Sequence, residues 1–185
     1  MKDYKKYRWF YTSSDKLVVG GKNAEQNDEL LKRLKKSDKE YWVMHTSHPG
    51  SPFCAIISEK TSKKDLEECA TFTGCFSKAW KMRKKKTKVD IFKLSQIFKG
   101  KRMKIGTWGV KGKIKTLEVE LKLVLVKQKK VYRAVPEKTN KKGLKISPGN
   151  VDKKDMIIKL IIELGEVKKD ELMSALPAGG IKING

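Results

Sequence analysis

The stretch YRWFYTSSDKLVVGGKNAEQND, Tyr7 to Asp28, decides how the chain begins to fold. Arg8, Trp9, Phe10 and Tyr11 form a β-prone run, Ser13 to Lys16 supply turn chemistry, and Leu17, Val18 and Val19 make a short apolar return strand. Gly20-Gly21 then frees the backbone. Asn23, followed three residues later by Gln26, predicts a helix N-cap with a capping-box partner. Leu30, Leu31 and Leu34 give the helix one apolar face. A glycine pair feeding a helix start, with Lys22 beside it, is also the pattern of an anion site, because free N–H groups and the helix dipole point outward there. The plainer reading is an ordinary hairpin-to-helix corner.

Working outward, the first helix runs from about Asn23 to Lys36, and Tyr41 to His45 and Phe53 to Ser58 read as strands joined by the loop Ser47-His48-Pro49-Gly50-Ser51-Pro52. Ser62 with Asp65 opens a second helix whose Leu66, Cys69, Ala70, Thr73, Phe76 and Trp80 share a buried face and which ends in Lys81-Met82-Arg83-Lys84-Lys85-Lys86. Strands are expected over Val89–Phe98, Met103–Trp108 and Thr116–Val126, with polar connections at Lys127–Lys130 and Thr139–Gly143. These elements predict an α+β fold, a mixed, largely antiparallel sheet covered by two helices. After Ser147-Pro148-Gly149, Asp152 caps a helix stopped by Gly165, and a shorter helix spans about Lys168 to Leu176. Residues 144–185 are therefore expected as a small C-terminal helical extension of a 1–143 domain. That extension is read as a helical hairpin, part of a winged-helix-like unit, or an appendage on the main sheet.

The 185 residues carry 44 Lys and Arg against 21 acids, a formal charge of +23. An excess of that size implies an acidic partner, nucleic acid first and an anionic membrane surface second. It is unevenly placed: seven basic and six acidic residues follow Leu144, so nearly all of the charge lies in residues 1–143. No apolar run approaches ~18 residues and the start, MKDYKKYRWF, lacks a signal-peptide core, so a cytoplasmic protein without membrane insertion is expected. Cys54, Cys69 and Cys75 have no framework spacing and are expected as reduced thiols.

The densest basic block, Lys81 to Lys104, holds eleven Lys or Arg and one acid, Asp90, with Trp80, Phe92, Phe98 and Trp108 in or beside it. Cations neutralise phosphates and flat rings stack on unpaired bases, although each ring also suits a core. Five phosphate contacts would give a log–log salt slope of about −3.5 on single strands and about −4.5 on duplex. His45, His48 and Cys54 lack a further ligand at metal spacing and no Cys-x-x-Cys occurs, so neither metal nor cofactor is expected. The two histidines have the chemistry of an acid/base pair. Ser51 has no acid near it in sequence, which leaves nucleophilic catalysis unsupported.

The opening segment also resembles the start of the NFACT-R domain, the RNA-binding module of the NFACT proteins, which include ribosome-associated quality-control factors. The matching residues are Arg8-Trp9-Phe10, Leu17-Val18-Val19-Gly20-Gly21-Lys22-Asn23-Ala24, Gln26-Asn27, His45, His48-Pro49-Gly50-Ser51 and Ser77-Lys78-Ala79-Trp80, with a weaker match from Lys99 to Gly112. The resemblance covers roughly residues 4 to 126 and looks like that of a stand-alone, archaeal-type member. It implies a non-enzymatic RNA-binding protein without catalytic residues, whose partner is tRNA or ribosomal RNA and, through it, the ribosome. On that reading Arg8, Lys22, Lys78, Lys81, Arg83, Lys84, Lys85 and Lys86 contact phosphate. Gly20, Gly21, Lys22 and Asn23 present backbone donors, and Trp9, Trp80 or His45 stack on bases. Gln26, Asn27, His48, Gly50 and Ser51 belong to the RNA-facing signature. Family members commonly carry an acid after the first histidine, where this sequence has Thr46-Ser47. Two alternatives remain: an RNA-processing or RNA-modifying enzyme using His45 and His48, and a general polyanion binder. The oligomeric state is not encoded in any motif. A single RNA surface requires the Gly20–Asn23 helix start and the Lys81–Lys86 cations to share one face.

Overall fold

Period-two alternation along the first strands sends neighbouring side chains to opposite faces of one sheet, so two separate helices are needed to bury them. The computed structural model describes residues 1–184 of the chain. Strands β1 (Arg8–Tyr11) and β2 (Leu17–Gly20) form the hairpin, followed by helix α1 (Ala24–Lys35), β3 (Trp42–Thr46) and β4 (Cys54–Ile56). Helix α2 (Lys63–Cys75), the single-turn α3 (Lys78–Lys81), β5 (Lys86–Lys93), β6 (Ile97–Phe98), β7 (Gly109–Val110) and β8 (Lys115–Glu120) come next. The remainder is β9 (Leu123–Gln128), β10 (Val131–Pro136), β11 (Leu144–Asp152), α4 (Lys153–Leu164), α5 (Lys169–Ala175) and β12 (Gly180–Asn184).

Six strands pair in the order β1-β2-β4-β3-β5-β8, every pair antiparallel. Trp9, Val19, Val43, Ala55 and Phe92 meet Leu30, Leu31 and Leu34 of α1 on one face. Phe10, Val18, Met44, Cys54 and Ile91 meet Cys69, Ala70 and Phe72 of α2 on the other. The expected α+β architecture, an antiparallel sheet covered by two helices, is the one observed. Cys54, Cys69 and Cys75 are free and buried within the second of these cores, and burial pushes their thiols up, that of Cys54 to about 12.

The hairpin turn is pinned to the start of α2. Ser62 and Asp65 complete a reciprocal capping box. The same Asp65 carboxylate accepts hydrogen bonds from the Thr12 hydroxyl (2.6 Å) and the Ser14 hydroxyl, while Glu68 accepts from the Ser13 backbone (2.8 Å). Burial alone would raise the Asp65 pKa. The Ser14, Thr12 and Ser62 donors outweigh it and hold the group at about 2, below its ordinary 3.8. A depressed carboxylate contributes stability that is present above the unfolded value and lost as pH falls through the folded one. Between pH 4 and 2 the wild type should therefore lose about 2 kcal/mol that Asp65→Asn does not. Urea unfolding across that window measures it, and identical pH slopes for the two proteins would refute the linkage.

Five sequence expectations change. Val89–Phe98 is not one strand: β5 ends at Lys93, a 3-10 turn at Leu94–Gln96 turns the chain, and β6 pairs with β7 in a separate two-stranded sheet. Met103–Trp108 is a loop, not a strand, with its backbone donors turned to local carbonyls and to a helix side chain. The second helix stops at Cys75, and Ser77, whose side chain accepts from Ala79 N–H, caps a separate turn. Arg83 to Lys85 lie beyond that turn and are not helical: Arg83 is left-handed (φ 57°) and Lys86 opens β5. Finally, Thr116–Val126 is two strands, because the chain leaves the six-stranded sheet at Leu121-Lys122 and enters a second one, ordered β10-β9-β11-β12.

That second sheet redraws the C-terminal region. Helices α4 and α5 are present, with Asp152 capping the first and Gly165 (φ 76°) ending it, but they pack on strands contributed from both sides of residue 143. Leu144, Lys145 and Ile146 pair with Leu125, Val124 and Leu123, so the division at 143/144 passes between hydrogen-bonded strands. The two sheets touch at β1, where the Gln128 side chain accepts from the Tyr11 N–H and donates to the Tyr11 carbonyl, both at 2.8 Å.

Candidate functional site

A cleft of about 630 Å3 opens where the start of α1, the ends of β1, β3 and β5, and two loops converge. Its walls include Arg8, Gly21, Lys22, Asn23, His45, Gly50, Ser51, Phe76, Asp90, Ile105, Trp108 and Ile114. The sequence-predicted corner is thus one wall, and the histidine loop is the facing one.

The corner is built by close packing. Neither Gly20 nor Gly21 has a left-handed φ; a Cβ on Gly20 would meet Cys54 Sγ at 2.6 Å, and one on Gly21 would collide with Asn27. Asn23 Oδ1 accepts from Gln26 N–H at 2.8 Å, as a cap should. Gln26 Oε1 reaches back one residue further than a capping box requires and accepts from Lys22 N–H at 3.0 Å. Gly20 lies inside the sheet, paired with Arg8 and Cys54, and Gly21 N–H donates to the Phe53 carbonyl at 3.4 Å. The expected donors of Gly20, Gly21 and Lys22 are therefore already engaged. Among the described residues, the N–H groups left without an acceptor are those of Asn23, Ala24 and Glu25, the first turn of α1. Asn27 is buried in the cleft wall, its Oδ1 accepting from Phe53 N–H at 3.0 Å, so it braces the corner.

The loop after β3 is equally fixed. Thr46 N–H donates to Ser51 Oγ at 2.9 Å, and the Gly50 carbonyl accepts from Lys78 N–H at 2.8 Å, seating the loop on the start of α3. Gly50 is left-handed (φ 106°) and its missing side chain leaves room for the Lys78 stem. His45 stacks on Phe53 with ring centroids 4.5 Å apart and donates from Nδ1 to the Thr46 carbonyl at 2.7 Å, leaving Nε2 as an acceptor. Burial holds its pKa below the ordinary 6.5. His48 instead lines a neighbouring depression with Ser47, Lys84, Lys86 and Lys88. The two histidines thus occupy different hollows, and the arrangement assembles no shared acid/base pair.

Two acids escaped sequence reasoning because their partners lie far along the chain. Asp90 sits opposite His45 across the β3–β5 pairing and accepts from the Ser47 hydroxyl (2.8 Å) and the Thr116 hydroxyl (2.7 Å). Asp28, 6% exposed on α1, accepts from Gly106 N–H (2.8 Å), Trp108 Nε1 (2.8 Å) and Lys99 Nζ (3.1 Å). It thereby anchors the 99–108 loop along the cleft. Lys99 also donates to the carbonyls of Lys104 and Thr107, so this cation is consumed internally.

The aromatic expectations are corrected by burial. Trp9 (2% exposed) and Trp80 (0%) are core side chains, Trp80 donating to the Gly180 carbonyl at 3.0 Å, and neither can stack on a base. Phe92 is buried too, and the Lys81–Lys104 block is not one patch. At ~3.3 Å per residue, β5 carries Lys93 roughly 23 Å from Lys86, where Lys93 lies over the Trp42 ring. What the fold does gather is Arg8 and Lys22 in the cleft, Lys78 and Lys81 on α3, and Lys84 and Lys86 beside His48. The Ser47–Ser51 loop touches both hollows, Ser47 lining each of them and Gly50 packing on the Lys78 stem. Arg83 is tied to Asn150 Oδ1 at 2.6 Å, and Lys85 is exposed.

The family model described as the NFACT protein RNA binding domain matches residues 6–112. The chain belongs to this family. All the cleft residues named above except Ile114 fall inside its NFACT RNA-binding segment. The archaeal Rqc2 homolog aRqcH of Methanocaldococcus jannaschii is 29% identical over 201 residues, covering 97% of this chain and 29% of that protein. The human ribosome quality control complex subunit NEMF is 30% identical over 83 residues, 43% of this chain and 8% of its own length. Among solved structures, the C-terminal part of the fibronectin/fibrinogen-binding protein from Streptococcus suis aligns with a TM-score of 0.53 and 28% identity, covering 62% of this chain and 44% of that one. The chain therefore spans less than a third of its archaeal relative, and the similarity to that relative extends beyond the NFACT RNA-binding segment into the second sheet. Among the described residues no helix is long and apolar enough to cross a membrane.

Proposed function

We propose that the chain binds structured RNA of the translation machinery, tRNA or ribosomal RNA, through the cleft and the cations around it. One observation carries this reading: the acid that lines the cleft, Asp90, already serves the protein's own hydroxyls, while the lining cations Arg8 and Lys22 are left unpaired. Asp28 and Asp90 serve the protein's own donors. Among the described residues, Arg8, Lys22, Lys78, Lys81, Lys84, Lys85 and Lys104 form no salt bridge. Unpaired cations of one sign around a concavity, next to a free helix start, favour a phosphate backbone. The family's description as RNA-binding and the ribosome quality control role in the names of relatives point the same way, and on that basis the ribosome is the proposed setting.

The test is a salt titration. Affinities for tRNA, ribosomal RNA hairpins and duplex DNA of equal charge are measured at several salt concentrations. One of the RNAs should bind more tightly than DNA at every salt concentration, with a steep log–log slope. Equal affinities with identical slopes would leave only a general polyanion binder.

A further inference from the structure

We propose that the cleft receives one unpaired nucleotide of the bound RNA, its phosphate at the Lys22 corner and its base between the Phe76 and Ile105–Ile114 walls. This inference rests on the RNA-binding reading and names what the cleft itself takes. The cations outside it suffice to hold a phosphate backbone, but they leave the composition of the cleft unexplained.

Three features require a ligand with a charged end and a flat apolar body. Arg8 stacks its guanidinium on the Phe76 ring at 4.9 Å, yet none of its donors has an acceptor among the described residues. A guanidinium fixed in that way presents a planar set of donors to an incoming group. In the same cleft Ile105 and Ile114 are 63% and 44% exposed. Apolar side chains left open inside a polar-rimmed hollow mark a place where an apolar surface docks. There, too, His45 keeps Nε2 as an acceptor for a base edge, and the free N–H groups of Asn23, Ala24 and Glu25 are donors for a phosphate.

Size agrees. About 630 Å3 lies within the roughly 300–1,000 Å3 of small-molecule sites, and a base held in a helical stack cannot enter such a hollow. Recognition of extruded, unstacked bases is also how proteins most readily read RNA.

The test compares two RNA duplexes of equal length, one fully paired and one with a single bulged nucleotide, by fluorescence anisotropy at fixed salt. The wild type should prefer the bulged RNA by about tenfold, the scale of one base–side-chain stack. A 2-aminopurine at the bulge should change its emission on binding. Ile105→Ser/Ile114→Ser and, separately, Arg8→Gln should each cut the preference below about threefold. The readout is the bulged-to-paired ratio, so damage that weakens both RNAs equally leaves it unchanged. Equal affinity of the wild type for both duplexes overturns the proposal while leaving RNA binding intact, as does a preference that both variants retain. If neither RNA binds at all, the RNA reading fails and the nucleotide site fails with it.

Discussion

Asp28→Ala should lower stability by about 3–5 kcal/mol, the largest effect expected of any single substitution along the cleft. The carboxylate is 6% exposed and is the shared acceptor for Gly106 N–H, the Trp108 indole and the Lys99 ammonium. Burial raises its pKa, but those three donors outweigh burial and hold it below the ordinary carboxylate value. Alanine strands the Gly106 N–H and the Trp108 indole and removes the counter-charge of Lys99, which keeps only its two carbonyl acceptors, and unmade bonds in a buried site cost more than made ones contribute. For a chain of this length the loss corresponds to roughly 10 °C in Tm. Hydrogen exchange at Gly106 and a shifted indole resonance of Trp108 should show that the 99–108 loop is the part released. Asp28→Asn, which keeps the size and one acceptor, should lose less. A Tm within 2 °C of wild type for Asp28→Ala would show that the loop is held by other means.

The second large effect concerns affinity. Replacing Lys81, Lys84, Lys85 and Lys86 together by glutamine should weaken RNA binding on the order of a hundredfold at 0.15 M salt. The log–log salt slope should shrink by about 0.7 for each lost contact on single strands and about 0.9 on duplex. Arg83 is deliberately retained, because its bond to Asn150 ties this segment to β11. The single ion pair removed, Lys86 with Glu118 at 3.5 Å, joins two exposed side chains and contributes little to folding. The substitution therefore tests charge and leaves the fold in place. An unchanged slope would mean that these lysines do not touch the RNA.

Elements whose stabilising contacts lie close together in the chain announce themselves in its sequence. The Tyr7–Asp28 hairpin, the Asn23 cap and the Ser62–Asp65 box were legible because each is written within a few residues. The β9–β10 hairpin was not. Its turn is made by Lys129 and Lys130 at φ 49° and 68°, a left-handed pair usually announced by Asn-Gly, so two lysines gave no warning. Alternation from Leu117 to Leu125 also ran on undisturbed while the chain changed sheets at Leu121-Lys122, since both sheets demand the same period. Trp9 and Trp80 look alike as stacking rings and core rings, and only burial separates the two roles. Asp28 and Asp90 were missed because the groups they serve come from other strands and loops, 26 to 80 residues away.

The Gln128 amide, bonded to both the N–H and the carbonyl of Tyr11, occupies the outer rim of β1 as one residue of a neighbouring strand would. An uncovered strand rim is a template on which other chains can pair and aggregate. With that side closed, β8 is the free rim of the six-stranded sheet. There Lys115, Glu118 and Glu120 stand exposed along a strand of six residues. A second molecule pairing there would have to place its own side chains against mixed charges, which disfavours extension of the sheet from that rim.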